Sequence, residues 1–321
     1  MGALAFLAKA TAVFALVAAL VAAAVALVYP RLAGRLRRLA PQQRARILFG
    51  LASLPSGAGA AFLATALLPS GAALFGAADH CPVHPHHPHL CPLHTWPPGP
   101  NAAGAFLLAM LVLALTVLAW RTFRTRRALR AVASLAEGRD QDGTWWICSP
   151  RPFAFTAGLV QPSVYLSTGL REALSASDLA IVLAHECAHA RRRDALVTWA
   201  AAWLGALHLP GTGRRIAADL HAACEQAADE AAAGETSRVE VAAALVRVEK
   251  LQGAAGPWPS VAFGGGDLEA RVEALLAPPI ADHRLARLPV WLVVAAATCL
   301  AAVLANPLHH AAETLVAFLS K

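Results

Sequence analysis

The sequence predicts a mainly α-helical integral membrane protein with four transmembrane helices and one soluble α+β segment. Three observations predict it. Apolar residues make up 57% of the 321 residues and charged residues only 15%, against about 45–50% and about 25% in an ordinary soluble domain. Mean hydropathy is +0.52. Four apolar runs, 4–28, 47–68, 102–120 and 289–305, are almost free of charge, and a spanning helix needs about 20 such residues. A soluble globule, a disordered chain and a collagen-like fibre are excluded on the same grounds.

Run 4–28 is nearly pure Ala, Leu and Val with one charge, Lys9. It is too long for a signal peptide, and no small-residue cleavage site precedes a polar start. Run 47–68 contains Pro55, Gly57 and Gly59 but no charge; run 289–305 is the shortest. A charge at mid-span costs about 2.5–3.5 kcal/mol, so clean runs read as spans. The net charge of +7 sits mostly in two clusters. Arg31, Arg35, Arg37, Arg38, Arg44 and Arg46 lie in 30–46, and Arg121, Arg124, Arg126, Arg127 and Arg130 follow the third run; neither cluster contains an acid. Loop 69–101 has no Lys or Arg. The positive-inside rule then places both clusters and residues 121–288 in the cytoplasm. The N-terminus, loop 69–101 and the tail from Asn306 lie outside. Three units follow: 1–120 with three spans, 121–288 soluble, and 289–321 with the fourth span. The basicity is topological and suits anionic lipid, not nucleic acid. The Arg and Ala bias points to a GC-rich bacterial genome, hence a bacterial plasma membrane.

Within the soluble segment, 123–137 reads as a basic amphipathic helix leaving the membrane. Residues 145–148, 153–160 and 163–167 are β-prone and punctuated by Pro150, Pro152 and Pro162. Ser175 and Asp178 have capping-box spacing ahead of a long helical run, 178–208. Leu209-Pro210-Gly211 ends that run. Further helices are expected over 214–233, 236–251 and 267–276.

The chemistry lies at His185-Glu186-Cys187-Ala188-His189. Histidines at i and i+4 share one helix face, so both imidazoles reach one metal. Glu186, one step around, is placed to take a proton from water activated by zinc, which lowers the pKa of that water to about 7. Coincidence would give such a run in roughly one chain in fifty of this composition. A third protein ligand is needed, with one position open. Glu225 on the next helix fits, and His221 one turn earlier competes with it. Asp229, at i+4 from Glu225, is placed to accept the second N–H of a ligand histidine. Asp219 and Glu230 read as solvated charges, Asp194 as the anchor of the Arg191–Arg193 turn, and Cys148, Cys187 and Cys299 as apolar filling. Cys224 faces away from the site. His221, Tyr165 and Arg238 are candidates to stabilise an oxyanion.

The stretches "FTAGLVQPSVYLSTGL", "SDLAIVLAHECAHARRRDAL" and "EQAAD" resemble the peptidase M56 family, membrane sensor-transducers of the BlaR1/MecR1 type. M48 peptidases of the HtpX and CAAX-protease type share the H-E-x-x-H and E-x-x-A-D elements; the R-R-R-D run and the span layout favour M56. The resemblance implies a gluzincin-like zinc peptidase domain in the cytoplasm. It implies that His185, His189 and Glu225 bind one Zn2+, that Glu186 is the general base and that Asp229 supports a ligand. It also implies that the strand in 153–160 pairs with extended substrate. The substrate would be a protein at the cytoplasmic face, such as a BlaI-type repressor. The rival readings are an HtpX-like quality-control protease and a catalytically silent metal-binding sensor. The family's extracellular penicillin-binding domain has no counterpart here, where about 15 residues follow the last run. External residues 79–94 instead hold His80, Cys81, His84, His86, His87, His89, Cys91 and His94, donors that suit copper or zinc, or a Cys81–Cys91 disulfide in a proline-stiffened spacer.

Overall fold

The computed structural model describes residues 2–72, 102–134, 136–140, 143–254, 265–278, 280, 303, 306–312, 314 and 315. Three long helices open the chain: α1 (Gly2–Leu36), α2 (Pro41–Ala72) and α3 (Ala102–Ala133). Phe6–Leu36, Pro41–Leu68 and Leu108–Arg127 are each long and apolar enough to cross a membrane. At 1.5 Å per residue α1 is about 52 Å long, well beyond a hydrocarbon core of about 30 Å. α1 and α2 form a tight hairpin. At Gly59 a Cβ would come within 2.9 Å of Phe14, so the small residue lets the helices close up. The Arg-rich segment is thus mostly helix, with only a short turn between Leu36 and Pro41.

Three of the four expected spans lie among the described residues; most of 289–305 lies outside them, as do residues 79–94, which the sequence predicts to lie outside the cell. The positions flanking the fourth run are described. Pro278 and Ile280 line the same cavity as Arg37 and Pro41, at the hairpin turn. At the other end of the pair, Ala312 packs with Ala10, Val13 and Ala66, and His309 Nδ1 donates to the Ala66 carbonyl at 2.7 Å.

The remainder is a small sheet covered by helices. Strands β1 (Ala136–Arg139), β2 (Trp145–Ile147), β3 (Ala154–Ala157) and β4 (Ser163–Ser167) lie in the order β1-β2-β4-β3. β2 and β4 are parallel and the other pairs antiparallel, which leaves β3 at an edge. The expectation of helix over 123–137 is corrected at its end. α3 runs unbroken from the span to Ala133, and Ala136–Arg139 pairs with β2 through a turn closed by Gly143 at φ 83°, a conformation that glycine adopts freely.

The helices α4 (Thr168–Ala173), α5 (Ala176–Arg192), α6 (Asp194–Leu204), α7 (Pro210–Ala233), α8 (Arg238–Ala254) and α9 (Gly265–Leu276) follow, with a 3-10 turn at Gly205–Leu207. The Ser175 hydroxyl accepts from Asp178 N–H at 3.1 Å, as the spacing predicted. The Asp178 carboxylate is gripped by Arg247 of α8 at 2.5 and 3.0 Å, and this contact lowers its pKa. The run 178–208 is broken at Arg193, which takes a left-handed φ of 56°. Helices α1 and α2 share one core cluster with α6 and α7. Val25, Tyr29, Leu36, Leu48 and Ala52 pack with Ala201, Ile216, Leu220, Ala223 and Cys224.

Candidate metal centre

α5 and α7 pack face to face, and β3 lies across α5. His185 Nε2 and His189 Nε2 are 3.1 Å apart, and Glu225 of α7 stands 3.4 Å from His189 Nε2 and 3.6 Å from His185 Nε2. Among the described residues, His185, His189 and Glu225 form the one group whose ligand atoms lie close enough to share a metal ion. His221 is not part of it. The atoms of a tetrahedral zinc site at 2.0–2.1 Å from the metal stand about 3.3–3.4 Å from one another; the two Nε2 atoms are near that spacing, and each lies near it from a different oxygen of Glu225, Oε1 for His189 and Oε2 for His185.

The chemistry of the donor set also fits a cation. Asp194 Oδ2 accepts from His189 Nδ1 at 2.7 Å. Asp229 Oδ1 lies 3.0 Å from His185 Nδ1, close enough for an ion pair but without hydrogen-bond alignment. The Asp194 bond favours the His189 ring proton at Nδ1, the Asp229 charge favours the same site on His185, and both Nε2 atoms face each other and Glu225. Such an arrangement repels itself unless a positive charge sits between. Burial alone would lower the His185 pKa, but Asp229 and Glu225 more than offset it and raise it to about 9. Burial would raise Glu225, but His185, His189 and Arg271 bring it down to about 2. With both imidazoles neutral, as metal ligation requires, four carboxylates (Glu186, Glu225, Asp229 and Asp194) face two guanidiniums (Arg192 and Arg271), a deficit that a divalent cation would balance.

Arg271 of α9 carries a part of the site that sequence reasoning missed. It is 1% exposed. Its Nε and Nη2 donate to the two Asp229 oxygens at 2.8 and 2.7 Å, and Nη1 is 3.1 Å from Glu225 Oε2. A signal existed. Leu268, Arg271 and Leu275 share one face of α9, and a buried arginine on an apolar face requires an acid. Asp194 does more than anchor the turn that the sequence assigns to it. It does bind Arg192 at 2.5 Å, and Arg192 reaches the Cys224 carbonyl at 3.0 Å, but its larger role is on His189. Burial would raise the Asp194 pKa, whereas His189 and Arg192 lower it.

Glu186 sits beside β3. Thr156 Oγ1 lies 2.8 Å from both its main-chain carbonyl and its Oε2, so the strand orients the carboxylate. An open cleft of 170 Å³ is lined by Thr156, Glu186, His189, Glu225 and His221. Of the three candidates for oxyanion stabilisation, His221 lines this cleft. Tyr165 stacks on Phe155 and Trp145, and Arg238 donates to the Ala274 and Leu275 carbonyls. Other expectations are corrected. Asp219 is not a solvated charge, since it accepts from Tyr29 of α1 at 2.5 Å; Glu230 stands 3.7 Å from Arg238. Cys148 is exposed, Cys187 is partly buried against the sheet, and burial pushes the Cys224 thiol up to about 12. Cys299 lies outside the described residues.

Comparison with protein families gives a match. The sequence model described as BlaR1 peptidase M56 covers residues 102–275, from the start of α3 nearly to the end of α9. Comparisons with curated proteins and with solved structures give no match. The matched stretch exceeds half of the chain and contains the His185, His189 and Glu225 group. The chain, with its three candidate membrane-crossing helices, therefore belongs to the BlaR1 peptidase M56 family.

Proposed function

We propose that the protein is a zinc-dependent metalloendopeptidase of the bacterial plasma membrane. Its peptidase region, 121–288 with a gluzincin-like fold, faces the cytoplasm and cleaves a cytoplasmic protein such as a BlaI-type repressor, which makes it a signal transducer. The observation that carries this reading is the convergence of His185, His189 and Glu225 beside a cleft that Glu186 also lines. His185 Nε2, His189 Nε2 and Glu225 hold the metal, and zinc bound there supplies Lewis acidity at the scissile carbonyl and acidifies water. Asp194 and Asp229 fix the histidine tautomers. Thr156 occupies Glu186 Oε2, so Oε1 takes the proton from the attacking water and later delivers it to the leaving nitrogen. Substrate backbone adds to the outer edge of β3, and His221 donates to the developing oxyanion.

The placement of Ile280 by the hairpin turn and of His309 by Ala66 supports a fourth crossing between them. It would put the tail on the side opposite the peptidase, together with the N-terminus and loop 69–101. Mass spectrometry of new protein N-termini in cells expressing the wild type or Glu186→Gln tests the reading. Cytosolic N-termini present only with the wild type support it. The same set of N-termini in both contradicts it.

A further inference from the structure

Residues 195–213 contain no charged side chain, yet they lie outside the three candidate spans. They form α6, the 3-10 turn and the first residues of α7. Their depth can be read from their neighbours. Residues 47–68 of α2 are uncharged and cover about 33 Å, close to the hydrocarbon core of about 30 Å. His208 Nε2 lies 3.1 Å from the Leu51 carbonyl and 3.3 Å from that of Ala52. Those carbonyls are about 6–8 Å inside the start of that apolar run. The contact has a reason. Pro55 has no N–H, so the Leu51 carbonyl lacks its intrahelical donor, and at membrane depth no water replaces it. The His208 imidazole does.

The residues flanking His208 match that depth. Leu207 and Leu209 are 42% and 51% exposed. Trp203 and Trp199 pack edge to face, and Arg121, the first charge after run 102–120, lies 5.6 Å from the Trp203 ring centre. Tryptophan with arginine is what the headgroup level selects. Exposed Arg214 and Arg215 follow one turn later, where long side chains reach back to headgroups.

We propose that the α6–α7 connection dips into the bilayer, with Trp203 at the headgroup level and Leu207 and Leu209 among acyl chains. The metal centre then stands at the membrane surface, because Gln226, next to Glu225, binds Arg44 at 2.5 Å, just outside the apolar run of α2. The inference rests on α1–α3 crossing the membrane, not on proteolysis.

The test uses the full-length Glu186→Gln chain in phosphatidylcholine–phosphatidylglycerol vesicles. They carry a phospholipid with a diazirine at the acyl-chain end. After illumination, adducts are mapped by mass spectrometry. The expected result is labelling of 203–209 at least tenfold above 238–250 of α8, with 6–28 labelled as well. Labelling of 6–28 with 203–209 no higher than α8 overturns the proposal while leaving the peptidase reading intact.

Discussion

Asp194 and Asp229 each guard one histidine Nδ1, and this makes the metal affinity depend on residues that never touch the ion. Asp194→Asn keeps the size of the side chain but removes the charge that fixes His189. A 10–100-fold weaker zinc affinity is expected, measured by competition with a chromogenic chelator; unchanged affinity would show that Asp194 serves only the Arg193 turn. Arg271 acts on the other side. Arg271→Ala strands two buried carboxylates, and breaking a buried pair in this way costs about 3–5 kcal/mol. Thermal unfolding in detergent should show a large loss of stability. Arg271→Lys, which keeps the charge but loses the two-pronged grip, should lose less. At this scale much of the centre is legible in the sequence. The i, i+4 spacing of His185 and His189 carries direct geometric information, and a motif of that kind needs a third ligand. Asp194 and Arg271 were not legible in the same way. The first depends on a backbone turn at Arg193, and the second arrives from a helix 42 residues beyond Asp229.

Helix α5 ends where it does because Arg193 turns left-handed and lets Asp194 fold back onto His189. Helical apolar spacing is present on both sides of this point, since Leu179 and Val182 before it and Leu196, Trp199 and Trp203 after it stand three or four residues apart, so the pattern alone reads as one helix. Strand β1 was hidden for a related reason. Its four residues, Ala-Glu-Gly-Arg, have no β-prone character and are held by pairing with β2. The β2, β3 and β4 segments, rich in aromatic and branched residues, were legible. The contact between His208 and α2 is a tertiary repair of a proline and could not be read from either segment by itself. His208→Ala leaves the Leu51 carbonyl without its donor, at an expected cost of about 1–3 kcal/mol. His208→Gln, which retains a donor, should recover part of that in a thermal melt. Equal losses in the two variants would mean that packing, not the hydrogen bond, is what matters.

For the molecule as a whole, α6 and α7 share a core cluster with α1 and α2, so the region that carries Glu225 is mounted on the α1–α2 hairpin instead of hanging from a linker. That arrangement gives a topological prediction. In a chain cleared of its native cysteines, Arg38→Cys at the hairpin turn should resist a membrane-impermeant thiol reagent applied to intact cells, and Thr95→Cys in the external loop should react. The reverse pattern would put the cleft outside and remove cytosolic proteins from the substrate list. Apolar composition and run length made the membrane class legible, because both follow from bulk transfer energies; the docking of α7 on α2 depends on shape and was not. The central claim, that His185, His189 and Glu225 hold one zinc ion while Glu186 performs chemistry without binding it, is tested most directly by zinc content per purified full-length chain. One zinc per chain is predicted in the wild type and in Glu186→Gln, and less than a tenth of that in His185→Ala. A wild type that purifies without zinc and cannot be loaded with it, or a Glu186→Gln chain that loses it, would contradict the account.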